Sequence, residues 1–183
     1  MFSFKKKITE QEVAASFVLF SFRGARDYWP KVKKNIQKAF QKISFNDERK
    51  AQLDLALAII AQEMQAVENL FPQEQAERIN RWVLNIINTK EDGEYSYKTT
   101  FRYYVKFKKE LGNISSGGDP LSVIPGLLLE NWLGQDIRNY TLKIKDRQTD
   151  ILDPLLLSVV SGVLSCFLGY FKGIKEQYKI VQT

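Results

Sequence analysis

Pro154-Leu-Leu-Leu-Ser-Val-Val-Ser-Gly-Val-Leu-Ser-Cys-Phe-Leu-Gly-Tyr-Phe171 runs for 18 residues without a charged side chain. Coiled as an α-helix it reaches about 27 Å, just short of the roughly 30 Å hydrocarbon core of a bilayer. Length therefore allows either the core helix of a soluble bundle or a marginal membrane span. Composition favours the first. Ser158, Ser161, Gly162, Ser165 and Gly169 dilute the apolar character. Ser158 with Gly162, Ser161 with Ser165 and Ser165 with Gly169 form a ridge of small residues at four-residue spacing, which lets a second helix approach closely. Asp150 and Asp153 precede the segment, and Lys172, Lys175 and Lys179 follow it. Positive flanks tend to stay cytoplasmic, which is the wrong arrangement for a tail anchor. The segment is expected to be the hub of the fold, with a membrane-inserted helix as the alternative.

Working outward, the rest of the chain has helical periodicity. Thr9 and Glu12 have the Thr-x-x-Glu spacing of a capping box, and Gly24 sits where a C-terminal cap belongs. The basic Lys5-Lys6-Lys7 before an apolar run resembles a signal peptide. Glu10 and Glu12 interrupt it, however, and Arg23-Gly-Ala-Arg26 replaces a small-residue cleavage site, so the stretch is read as a mature helix. Pro30 can open a second helix over residues 31–43. Asn46 is the expected N-cap of a third, running to Leu70. There Leu53, Leu57, Ile60, Met64, Val67 and Phe71 form a seam, and Leu55, Ala58 and Ile59 widen it, so this helix is expected to touch two partners. Phe71-Pro72 separates it from a fourth helix over 73–88, faced by Ala76, Ile79, Val83 and Ile86 with Trp82 and Ile87 beside them.

Residues 95–111 fit two periods. At helical spacing Tyr97, Phe101, Tyr104, Val105 and Leu111 share a face. At period two the segment could form a small β-ribbon, 99–108 with 140–145. Helical neighbours favour helix. A loop over 114–118, a short helix starting at Asp119-Pro120 and interrupted near Pro125-Gly126, and a polar stretch over 135–149 lead to the Asp153-Pro154 cap. The expected fold is all-α: a single-domain bundle, residues 1–183, of about six or seven helices around the apolar C-terminal helix.

The composition excludes much chemistry. There is no histidine, which removes imidazole as base, nucleophile activator and metal ligand. The one cysteine, Cys166, cannot form a disulfide within the chain, fits a reducing compartment, and reads as a small buried apolar residue. No Walker or EF-hand pattern is present, and Gly117-Gly118 is too little for a phosphate loop. Glu74 with Glu77, and Asp54 with Glu63, read as solvated helix-surface carboxylates, and Glu130 as an exposed one. No catalytic residue, cofactor or metal site is expected, and the chain is read as a non-enzyme, with a histidine-free enzyme using convergent carboxylates in a deep pocket as an alternative.

Charge is the remaining signal. The net charge of +6 hides a basic residues 1–50, an acidic 51–97 and a basic 98–109. One basic cluster joins Lys5, Lys6 and Lys7, with Phe2 and Phe4 beside them, to Lys31, Lys33, Lys34, Lys38 and Lys42. Aromatic groups next to lysines suit a membrane surface. The other cluster is Arg102, Lys106, Lys108 and Lys109, interleaved with Phe101, Tyr103, Tyr104 and Phe107. That pattern suits stacked bases and phosphates. For each the bland alternative is a solvated helix face. The function read from these features is a non-catalytic helical interaction protein, an adaptor or regulator, located in the cytoplasm. Its expected partner is another protein or a second copy. An anionic membrane surface met by the N-terminal lysines, and nucleic acid met by residues 101–109, are the alternatives.

Overall fold

The computed structural model describes residues 5–40, 43–45, 47–90, 92–113, 120–134, 141–142 and 151–182. In chain order they form β1 (Lys6–Thr9), α1 (Glu10–Ala39), α2 (Glu48–Leu70), α3 (Gln73–Asn88), α4 (Gly93–Gly112), α5 (Pro120–Leu133), β2 (Thr141–Leu142), β3 (Ile151–Leu152), α6 (Pro154–Ser165), α7 (Tyr170–Gln177) and β4 (Tyr178–Val181). This is an all-α bundle. The described residues hold six helices if α6 and α7 are taken together as Pro154–Gln177, and seven if they are not.

Helix α1 starts where the spacing predicts. The Glu12 N–H donates to Thr9 Oγ1 at 3.2 Å, and the Thr9 N–H donates to Glu12 Oε2 at 2.8 Å. It does not stop at Gly24 or restart at Pro30. It is one helix of 30 residues. Pro30 is exposed and removes one ladder hydrogen bond, but Trp29 and Val32 on either side of it are buried in a core shared with α2, α5 and α6, which holds the rod together across that gap. Gly24 serves packing rather than capping, because a Cβ there would lie 2.9 Å from Phe167 Cε1.

The hub of the bundle is α2, not the apolar C-terminal helix. Asp47, rather than the expected Asn46, which lies outside the described residues, caps α2 by accepting from the Lys50 N–H at 2.9 Å. Thirteen of its 23 residues are buried. Its apolar faces meet more than the two partners expected, for α1, α3, α4, α5 and α7 all contact it. Leu57, Ile60, Met64 and Val67 join Phe17, Ile79 and Val83 in one core. Leu55, Ala58 and Ile59 join Trp29, Ile36, Tyr103 and Leu128 in the other. With α1, α3, α4 and α5 already around α2, α6 packs at the edge, on α1 and α5. It buries Leu156, Val160 and Leu164, and Leu157, Val159 and Val163 pack against the same core half-buried.

Residues 93–112 are helical, so no ribbon forms at 99–108. Thr141–Leu142 pairs instead with Ile151–Leu152, antiparallel, while the rest of 140–145 lies outside the described residues. Strands β1 and β4 pair in parallel, Lys6 opposite Tyr178 through Thr9 opposite Val181.

Candidate functional site

The lysines of the first basic cluster are not together. Lys5 donates to the Lys175 carbonyl at 2.8 Å, and Lys6 and Lys7 lie in β1 beside β4. An unbroken helix rising 1.5 Å per residue puts Thr9 about 33 Å from Lys31, so α1 separates the two groups of lysines. Lys33 is bonded to Glu48, which also accepts from the Trp29 indole at 3.1 Å. The hydrogen bonds from Lys33 and then Trp29 hold the Glu48 carboxyl below its usual range. Lys31, Lys34 and Lys38 remain exposed. Phe2, Phe4 and Lys42 lie outside the described residues.

The second half of α1 and α6 form a groove of about 620 Å³. Its apolar lining includes Val32, Val159, Val163 and Phe167, and Lys31 and Lys38 stand in the same lining. The groove exists because α6 is uncovered. Leu155 is 59 % exposed and Leu168, in the turn after α6, is 47 % exposed. Asp153 starts α6 by accepting from the Leu155 N–H at 2.8 Å, as the Asp-Pro pair predicts. The turn 166–169 then presses on α1. Phe167 meets Tyr28 edge-on with centroids 5.4 Å apart, and Tyr170 meets Phe20 at 5.2 Å. Phe20 and Tyr28 are themselves exposed, so aromatic and aliphatic groups cluster around this turn. Cys166 is exposed in the groove rather than buried, with its thiol 3.3 Å from the Gly162 carbonyl.

Helix α4 is turned differently from the expected phase. Phe101 and Val105 are 45 % and 44 % exposed, whereas Ser96, Thr99, Thr100, Tyr103 and Phe107 face inward. Contacts with α2, α3 and α5 choose the buried face, although the Ser96 and Thr100 hydroxyls find no hydrogen-bond partner among the described residues. Tyr97 and Phe101 stack one turn apart, 6.1 Å between centroids with planes 6° apart. The cations beside them are partly committed. Arg102 donates to Asn131 Oδ1 at 2.8 Å. Lys108 lies 3.0 Å from Glu68, which also accepts from the Tyr104 phenol. Lys106 and Lys109 share a hollow with Glu110 and Glu130. Helices α2 and α3 each contact both α1 and α4, so the two basic clusters are carried on different parts of the bundle.

Two carboxylates expected in solvent are buried. The Asp54 carboxylate accepts from the Tyr95 phenol at 2.5 Å and lies 3.4 Å from Lys50 Nζ. Burial pushes its carboxyl above the usual range, outweighing the Tyr95 and Lys50 contacts. Glu63 reaches the start of α7, accepting from the Gly169 N–H at 2.7 Å and the Phe171 N–H at 3.4 Å. Burial raises Glu63 too, against the pull of those N–H groups. The nine-residue offset puts about 13 Å of helix between the two acids, so they do not form an acid–base pair. Among the described residues no group of three or more Cys, Asp or Glu is placed to hold a metal ion. No family model, curated protein or solved structure matches this chain.

Proposed function

We propose that the protein is a non-catalytic helical interaction protein that works on a membrane surface, laying the α1–α6 face against anionic lipid. The observation that carries this reading is the mismatch between composition and burial at the C-terminus. Pro154–Gln177 is long and apolar enough to cross a bilayer, yet 28 % of its most apolar window is buried. Leu155 and Leu168 of this stretch, with Phe20 and Tyr28 of α1, are large apolar side chains left exposed, and clustered exposed apolar groups mark an interaction site. Lys31 and Lys38 on the groove add charge complementarity to lipid phosphate.

The magnitudes suit reversible attachment. Each lysine held near an anionic surface contributes about 1 kcal/mol. Moving the exposed halves of Phe20, Tyr28, Leu155 and Leu168 out of water contributes on the order of 1 kcal/mol apiece. The sum resembles a single lipid anchor, which binds weakly and comes off.

Co-sedimentation with vesicles tests the proposal. Vesicles of phosphatidylcholine containing phosphatidylglycerol are expected to bind the protein, and pure phosphatidylcholine far less. Binding weakens as salt shortens the Debye length. Replacing Lys31 and Lys38 with glutamine lowers the partition constant about thirtyfold. Absence of binding to anionic vesicles, or partitioning that ignores both salt and the two lysines, would refute the reading. A concentration-dependent dimer whose interface shields Cys166 would assign the same face to a second copy instead.

A further inference from the structure

A different part of α1 borders a cleft of about 840 Å³, where α1 meets the start of α2 and the junction between α3 and α4. Five cations line it: Arg23 and Arg26 from α1, Arg49 and Lys50 from α2, and Lys90 from the junction. Two carboxylates face them, Asp47 and Asp92, leaving an excess of three positive charges. Asp47 is already bonded to the first turn of α2, so part of its charge is turned towards the helix. Lys50 is drawn towards Asp54 and over the Tyr95 ring, 5.3 Å from its centroid. Arg26 pairs with its neighbour Asp27, but both side chains are more than half exposed, and such pairs are worth little. Arg23 and Lys90 form no ion pair among the described residues.

The rest of the lining is of another kind. Leu19, Phe22, Leu53 and Tyr95 give the cleft an apolar and aromatic wall beside the cations. Arg23 and Arg26 are three apart on one helix face, so their forks can hold one group together. A cavity of this volume suits a single small ligand. Cations from three segments call for several phosphates, and an apolar wall calls for a flat ring with little hydroxyl on its faces.

We infer that this cleft binds a nucleoside triphosphate, with the phosphates on Arg23, Arg26, Arg49 and Lys90 and the base against Phe22 and Tyr95. The site is independent of the membrane proposal, because it uses none of Lys31, Lys38 or α6.

Isothermal titration calorimetry on the whole chain tests it with ATP, inorganic tripolyphosphate and inositol hexakisphosphate as probes. ATP is expected to bind one to one, and tripolyphosphate about tenfold or more weaker for want of a base. Arg23→Ala and Lys90→Ala are each expected to weaken ATP about tenfold or more, while Lys109→Ala on α4 leaves it unchanged. Arg23 and Lys90 are exposed, so circular dichroism is expected to show both variants folded. The inference is overturned if ATP does not bind, or if the two variants bind it as wild type does. Equal or tighter binding of either inorganic tripolyphosphate or inositol hexakisphosphate also overturns it, since the cleft would then be a bare polyanion patch or a site for phosphorylated inositol, including a lipid headgroup.

Discussion

Helices α2 and α6 invert the usual relation between hydrophobicity and burial. Helix α2 carries Asp54, Glu63 and several glutamines, yet most of it is buried and two of its acids are sealed in. Helix α6 carries no charge, yet three of its residues are buried. Position decides the difference. Five helices contact α2, and its two buried acids find partners among them: Tyr95 for Asp54, and the N–H groups opening α7 for Glu63. Helix α6 has α1 and α5 for neighbours, and its remaining surface faces outward. An apolar helix left in that position is a surface held ready for another apolar phase.

The strongest way to break this comparison is to truncate matching residues on the two helices. Leu57→Ala in α2 is expected to cost about 2–5 kcal/mol in urea unfolding, through lost burial and the cavity left behind. Leu155→Ala in α6 is expected to change stability by about 0.5 kcal/mol or less. Equal costs would mean that α6 is covered. Next in size is Glu63→Ala, which strands two N–H groups at the start of α7 and is expected to cost about 1–3 kcal/mol, read as a shift in the urea midpoint.

Glu63 and Asp54 also predict a pH dependence with a defined sign. Both carboxyls sit above their ordinary range in the folded protein, so the native state holds those protons where the unfolded chain has released them. Their stabilisation is full below the unfolded values and is lost as pH rises through the raised folded ones. Urea midpoints of Glu63→Gln, followed from mildly acidic to neutral pH, are expected to fall less steeply than those of the wild type. A parallel slope would remove Glu63 as the cause. A small effect of opposite sign is expected at Gly162, where an added Cβ meets nothing within 4 Å. Gly162→Ala should stabilise the helix by up to about 1 kcal/mol, measured by thermal unfolding. A loss of stability there would show that a neighbour uses the small-residue ridge after all.

Much of the fold was readable in local pattern. The Thr9–Glu12 capping box, the Asp153-Pro154 start of α6, the bounds of α3 and the two faces of α2 each rest on residues within a few turns of one another. The features that were not readable depend on what lies alongside. Gly24 looks like a stop until Phe167 is seen against it. Phe101 and Val105 look like core until Thr99 and Thr100 take the inward positions. Hydrophobicity named α6 as the hub because a sequence records affinity for an apolar environment and not which helix is surrounded. The sites divide in the same way. Lys31 and Lys38, two turns apart on one helix, are visible as a pair. Arg23, Arg49 and Lys90 come from three separate segments and carry no local mark of their meeting.

The accessible sulfur of Cys166 gives the molecule a built-in observation point. The chain has one cysteine, so a polarity-sensitive maleimide dye attaches at a single place, on the wall between α1 and α6. Its emission colour would report directly whether water, hydrocarbon or a second polypeptide fills that channel, with no substitution in the chain.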